Sequence, residues 1–174
     1  LLVTQNVDGL HQAAGSVGVV DLHGTLAEVR CMGCERRMPR EDLQTQLLRL
    51  NPEWAERDAT RAPDGDADLV ETDFSSFTVP PCEHCGGILK PDVVFYGESV
   101  PTARVVTATR ALKEADAMLV VGSSLMVYSG YRFVQAAVQA GTPVAAVNLG
   151  RTRADPIMTL KVEQPCAEAL AFLL

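Results

Sequence analysis

Short apolar runs, each about the length of a strand, recur along the chain at residues 1–4, 17–20, 93–96, 117–121 and 144–147. Each gives way to polar or glycine-containing residues. Between the last three lie stretches whose apolar positions follow a helical rather than an alternating period. Residues 101–116 open with Pro101, which suits a first helical turn, and residues 130–140 carry Val134, Ala137 and Val138 at helical spacing. Alternation of strand-length and helix-length segments predicts a parallel α/β sheet with crossover helices. A strand at 159–162 and a helix over 165–174 complete the layer. The chain opens inside an apolar run, on Leu1 rather than Met, as a partial gene product or trimmed chain would.

Residues 31–87 break this rhythm. They are rich in Arg, Glu, Asp and Pro, and they read as an inserted module that divides the chain into 1–30, 31–87 and 88–174. Within the insertion, Leu43, Leu47 and Leu50 fall on one face of a helix over 41–50, which Asn51 and Pro52 should end. The polar stretch 62–68 reads as an exposed loop. No internal repeat is present.

Composition narrows the function classes. A net charge of −7 and an isoelectric point near 4.9 argue against a phosphate-binding surface, which needs clustered Lys and Arg. No apolar run approaches the roughly 20 residues of a membrane helix. The expectation is a soluble, intracellular globular protein with no nucleic-acid or membrane partner.

Four of the five cysteines form two matching pairs, Cys31-Met32-Gly33-Cys34 and Cys82-Glu83-His84-Cys85, separated by 47 residues. Two residues between cysteines let both thiolates of a tight turn face one ion, and two such turns complete a tetrahedron. Disulfides are disfavoured in a reducing compartment, and a thioredoxin-like redox site needs only one pair. Four thiolates leave no position open for water, so the expected zinc ion is structural. His84 lies inside a knuckle but is surplus to a saturated ion, and reads as facing solvent. Cys166, unpaired, reads as a small packing residue.

Polar residues cluster where strands end. Gln5, Asn6 and Asp8 follow the first strand, His23 and Gly24 the second, Gly122 and Ser123 a later one, and Asn148 the next. Ligands of α/β proteins bind at such carboxyl ends, and a Gly-Ser turn leading into a helix can hold phosphate on its amides. Individually these signals are weak. A lone strand-end His is more often a hydrogen-bonded structural residue than a base.

Taken together, the motifs resemble the sirtuins, the Sir2-type NAD-dependent protein deacylases. The resemblance rests on Thr-Gln-Asn-Val-Asp-Gly-Leu-His at 4–11, Leu-His-Gly at 22–24, the two cysteine pairs, Leu-Lys-Pro-Asp-Val-Val-Phe-Tyr-Gly-Glu at 89–98 and Gly-Ser-Ser-Leu at 122–125. It runs through the whole chain. Val-Tyr-Ser-Gly-Tyr-Arg-Phe at 127–133 is most similar to the class that contains the fourth human sirtuin.

The resemblance implies a Rossmann-like, doubly wound sheet carrying an inserted zinc module, without the family's first strand and Gly-Ala-Gly loop. It implies NAD as co-substrate and an acyl-lysine protein or peptide as partner. By the family's pattern His23 is the general base toward the nicotinamide ribose. Gln5, Asn6 and Asp8 would line the nicotinamide and ribose pocket, Gly122, Ser123 and Asn148 would hold the phosphates and adenosine, and Cys166 would pack near adenine. Val94, Phe95, Gly97 and Glu98 would belong to a strand that pairs with the substrate peptide, Tyr96 standing where many relatives have Phe. His11 reads as structural. The compartment expected is a bacterial cytoplasm, or the mitochondrion for a eukaryotic protein. Two other functions stay open: mono-ADP-ribosyl transfer by the same NAD cleavage, and a non-catalytic, zinc-stabilised binding module.

Overall fold

The computed structural model describes residues 1–55, 57, 60, 61, 67, 68 and 73–173. In chain order the elements are β1 (Leu2–Thr4), α1 (Leu10–Ala13), β2 (Val19–Asp21), β3 (Gly24–Cys31), β4 (Arg37–Pro39), α2 (Arg40–Leu50), β5 (Thr60–Arg61), β6 (Ala67–Asp68), β7 (Leu89–Val93), α3 (Thr102–Lys113), β8 (Met118–Val121), α4 (Tyr128–Gln139), β9 (Val144–Val147), β10 (Leu160–Val162) and α5 (Cys166–Ala169). Short 3₁₀ turns at Pro52–Trp54, Asp155–Ile157 and Ala171–Leu173 complete the list. Two compact units result, one of residues 1–24 and 94–174, the other of residues 25–93.

The first unit is built from parallel ladders. β1 pairs with β2, Leu2 opposite Val19, and β9 lies between β8 and β10. The expected parallel sheet is thus present as two ladders, β1-β2 and β10-β9-β8. Periodicity reveals that a strand exists but not its lateral neighbour. Against the larger ladder packs α4, whose buried face is Gly130, Phe133, Val134 and Ala137. Val138, expected on that face, is exposed because it lies at the edge of the arc those four define. Val120, Leu125, Val134, Ala137, Val144, Ala146 and Ala154 form the core cluster, and Leu22, Ala108 and Phe133 a second one.

The second unit holds the sheet β4-β3-β7. The apolar run 93–96 suggests a strand there, but the strand is Leu89–Val93 and stops where the apolar run begins. Beyond it, Glu98 N–H donates to the Phe95 carbonyl at 3.0 Å and Phe95 N–H to Glu98 Oε2 at 3.0 Å. This closes a tight turn with Gly97 at φ 89°, a conformation glycine adopts without steric cost. Inside β7 the buried carboxylate of Asp92 is met by Arg37 Nη1 at 2.9 Å and Arg30 Nε at 3.7 Å.

α2 ends where expected. Asn51, only 2% exposed, donates from Nδ2 to the carbonyls of Leu47 and Thr78, both at 2.9 Å, and accepts from Thr78 N–H at 2.6 Å. One side chain thus satisfies the helix end and clamps a segment 27 residues away. Leu43 is buried, but Leu50, at the last position of the helix, is exposed. Of the predicted loop 62–68, residues 62–66 lie outside the described residues, and Ala67–Asp68 instead pairs antiparallel with Thr60–Arg61. The predicted helix 165–174 is α-helical over Cys166–Ala169 and 3₁₀ over Ala171–Leu173, with Leu174 outside the described residues.

Candidate active site and metal centre

The Sγ atoms of Cys31, Cys34, Cys82 and Cys85 all lie within 4.8 Å of one another. Cys31 to Cys85 is 3.4 Å and Cys34 to Cys82 is 3.8 Å. A tetrahedron of zinc–sulfur bonds of ~2.3 Å has edges of ~3.8 Å, so the spacing suits one zinc ion. Glycine makes this approach feasible. A Cβ on Gly87 would lie 3.0 Å from Cys31 Sγ and 3.2 Å from Cys85 Sγ. His84, exposed, is outside the cluster.

The thiols are unequal before any ion arrives. Cys31 is drawn down to about 6, first by the backbone N–H of Cys34 and further by that of Gly33. At Cys85 the Gly87 N–H pulls the thiol down, but hydrogen bonding with the other sulfurs, Cys31 first among them, outweighs it and lifts it to about 12. Four thiols this close cannot all ionise without a cation among them, which is the chemistry of a zinc site.

Of the strand-end residues of the first unit, Gln5 contacts His23 and Ser123 contacts Gln5. His23 follows β2 directly, and its carbonyl accepts from Val94 N–H at 2.8 Å. Its ring is held at both nitrogens: Nδ1 lies 3.0 Å from the Gln5 carbonyl, and Nε2 lies 2.7 Å from Ser129 Oγ. A carbonyl can only accept, so Nδ1 carries the proton in the neutral ring and Nε2 offers a lone pair. Burial is the main cause that pulls the His23 pKa below 6.5; the Gln5 carbonyl opposes it and the Arg104 charge adds to it. The ring is neutral at pH 7, as a base must be.

Gln5 connects the two ladders. Ser123 Oγ donates to Gln5 Oε1 at 3.1 Å, joining the end of β8 to the end of β1. The Gln5 amide lies so close to Gly130 that a Cβ there would be 2.9 Å from Oε1.

The other expected residues are placed differently. Asn6 is exposed, and exposed Asp8 accepts the Leu10 N–H at 3.0 Å as a turn into α1. His11, half-buried, lies within α1. Gly122, at φ 61°, donates its N–H to the Val147 carbonyl at 2.9 Å, so that amide serves the sheet, not a phosphate. The helix expected straight after the Gly-Ser turn starts only at Tyr128. Asn148 spends Nδ2 on the carbonyls of Leu149 and Gly150, both at 3.1 Å. Cys166 Sγ lies 3.5 Å from the Val147 carbonyl and 3.5 Å from the Cβ position of Gly122. Val94 is half-buried, Phe95, Gly97 and Glu98 belong to the turn after β7, and Tyr96 is 99% exposed. The residue sequence reasoning missed is Ser129. It stands 106 positions from His23, and no spacing motif connects them.

The Sir2 family model matches residues 1–129. The chain belongs to the Sir2 family. An NAD-dependent protein deacetylase of Xanthomonas campestris is 66% identical over 173 residues, covering 99% of this chain and 59% of the relative. The mitochondrial NAD-dependent protein lipoamidase sirtuin-4 of Bos taurus is 47% identical over 172 residues, covering 99% of this chain and 55% of the relative. A solved structure described as Sir2 with p53 peptide and NAD+ superposes at a TM-score of 0.74 and 32% identity, covering 98% of this chain and 60% of that one. The sirtuin chain therefore spans about six-tenths of the length of the curated bacterial relative it matches. Among the described residues no helix is long and apolar enough to cross a membrane.

Proposed function

We propose that this sirtuin chain is the larger part of an NAD-dependent protein-lysine deacylase, with the second unit as its zinc-stabilised module. The observation that carries the reading is His23: neutral, half-buried, with its Nε2 lone pair exposed to one hydroxyl partner at 2.7 Å. Bound NAD supplies an electrophilic ribose carbon with nicotinamide as leaving group.

The protein's part is to bind, orient and move a proton. In this reading His23 Nε2 accepts the proton of a ribose hydroxyl, and the resulting imidazolium stays hydrogen-bonded through Nδ1 to the Gln5 carbonyl. Gln5 and Ser123, already in contact, hold the ribose side of the pocket, and Asn6 and Asp8 line it. Gly122 contributes room rather than an amide, and Asn148 and Cys166 support the same edge around adenosine. Val94, Phe95, Gly97 and Glu98 form a turn beside His23 that presents substrate-facing backbone, with acyl-lysine peptide as the partner. Cys31, Cys34, Cys82 and Cys85 hold one structural zinc ion. The bacterial relatives favour a cytoplasmic setting.

The test is nicotinamide release from NAD by the full-length protein, offered acetyl-, longer acyl- and lipoyl-lysine peptides, beside His23→Ala. Peptide-dependent release lost in the variant establishes the deacylase and names its acyl group. Release without peptide, with label transferred from NAD to protein, establishes ADP-ribosyl transfer instead, and no release favours a binding module.

A further inference from the structure

Ser129 belongs to the first turn of α4 and is 9% exposed, yet its hydroxyl is directed at His23 Nε2 from 2.7 Å. A serine in a first helical turn ordinarily turns back on its own backbone. This one reaches a residue on another element. Because Nδ1–H is committed to the Gln5 carbonyl at 3.0 Å, the only group Ser129 can offer Nε2 is its O–H. The two contacts hold the ring from opposite edges and leave one tautomer and one orientation. The position matters electrostatically as well. The first turn of a 12-residue helix carries the positive end of its dipole, which disfavours an imidazolium beside it. Arg104, on α3, acts in the same direction. Next in sequence, Gly130 lies against the Gln5 amide, so adjacent residues of α4 contact the base and the residue that carries its other contact.

The geometry points to Ser129 as a positioning residue for His23, holding Nε2 unprotonated and aimed until a ribose hydroxyl takes the place of the serine as hydrogen-bond donor. This rests on His23 being the base. No bond is made or broken at Ser129: its hydroxyl proton stays on Oγ, and the transferred proton comes from the ribose hydroxyl to Nε2.

The test compares Ser129→Thr with Ser129→Val, side chains of equal shape that differ in the hydroxyl, and Ser129→Ala beside them. In the full-length enzyme the Thr variant keeps kcat within about twofold, whereas Val and Ala lower kcat about tenfold, a fraction of the roughly 10²–10⁴-fold that a general base supplies. KM for NAD changes less than kcat. In the same full-length enzyme, ¹⁵N spectra of the His23 ring show a single Nδ1–H tautomer for wild type and Thr, and signals drawn toward each other by tautomer exchange for Val and Ala. Val and Thr variants with the same kcat and the same ring spectra overturn the proposal. Equal loss in both, with ring spectra unchanged, also overturns it, since packing alone is then responsible. Full turnover by His23→Ala overturns the reading of the base itself, whatever the Ser129 variants do.

Discussion

Replacing Gly130 by Ala separates site geometry from stability. An added Cβ would stand 2.9 Å from Gln5 Oε1 and 3.0 Å from Gln5 Cδ and Nε2, closer than real Cβ atoms come to anything. Gln5 must swing away. The obstacle is the free end of a flexible side chain, so the backbone need not move. The swing forfeits the 3.1 Å bond from Ser123, worth about 0.5–1.5 kcal/mol. Against this, Ala is favoured over Gly by up to about 1 kcal/mol in a helix, somewhat less in the first turn where Gly130 stands. The two nearly cancel. Thermal unfolding of the variant should therefore fall within about 4 °C of wild type, the shift expected for ~1 kcal/mol in a chain this size. Activity should not be spared. If Gln5 lines the ribose pocket, as proposed, losing one neutral hydrogen bond there raises KM for NAD roughly twofold to tenfold in the full-length enzyme, with a smaller effect on kcat because the Gln5 carbonyl still holds His23. A variant destabilised by more than about 3 kcal/mol would show that Gln5 cannot move, and wild-type kinetics at wild-type stability would show that its amide does nothing for the co-substrate.

Asn51→Ala leaves the Thr78 N–H and the Thr78 carbonyl without their partner in a nearly closed site, the Leu47 carbonyl keeping the backbone N–H of residue 51, and should cost about 2–4 kcal/mol in chemical denaturation. Metal analysis should find one zinc per chain, and a strong chelator should unfold residues 25–93, because structural zinc contributes roughly 10–16 kcal/mol of apparent binding energy; Cys34→Ser should remove the ion. His23 has a folded pKa below its ordinary 6.5, so its contribution to stability is fully present above pH 6.5 and is lost as pH falls through the lower folded value. The acidic limb of kcat/KM should accordingly lie below pH 6.5, and a limb at or above 6.5 would refute the burial argument.

The strands β1, β8 and β9 were legible because each is a continuous apolar run, and the metal centre because paired thiols at that spacing have few other uses. β7 was misplaced for a physical reason. Its residues Lys90, Pro91 and Asp92 have little strand propensity of their own and are accommodated by Arg30 and Arg37, distant in sequence, while the strand-like Val-Phe-Tyr that follows closes into a turn at Gly97. The site residues were legible as polar groups at strand ends, not as partners. Gly122 looked like a phosphate amide, but the ladder had a prior claim on its N–H through Val147. Ser129 carried no signal in the sequence because the feature that distinguishes it is the His23 ring, which only the packing of α4 brings near.

If His23 is the base, as proposed, its contacts turn a weak base by composition into a well-defined one by construction. A strand-end histidine free to rotate would divide its time between two tautomers and several orientations, and half-burial alone would only lower its basicity. Here three bonds remove that freedom: Val94 N–H to the backbone carbonyl at 2.8 Å, Gln5 to Nδ1 and Ser129 to Nε2. The first fixes where the ring starts, the second which nitrogen is basic, the third where it points. On the proposed reading the third is the contact that is exchanged, a hydroxyl replaced by a hydroxyl when a ribose arrives. The poised lone pair has its origin in the packing of β1, β2 and α4, whereas the lowered pKa comes from burial working against the Gln5 bond, and on the proposed reading removing the Ser129 contact should affect proton transfer before it affects the fold.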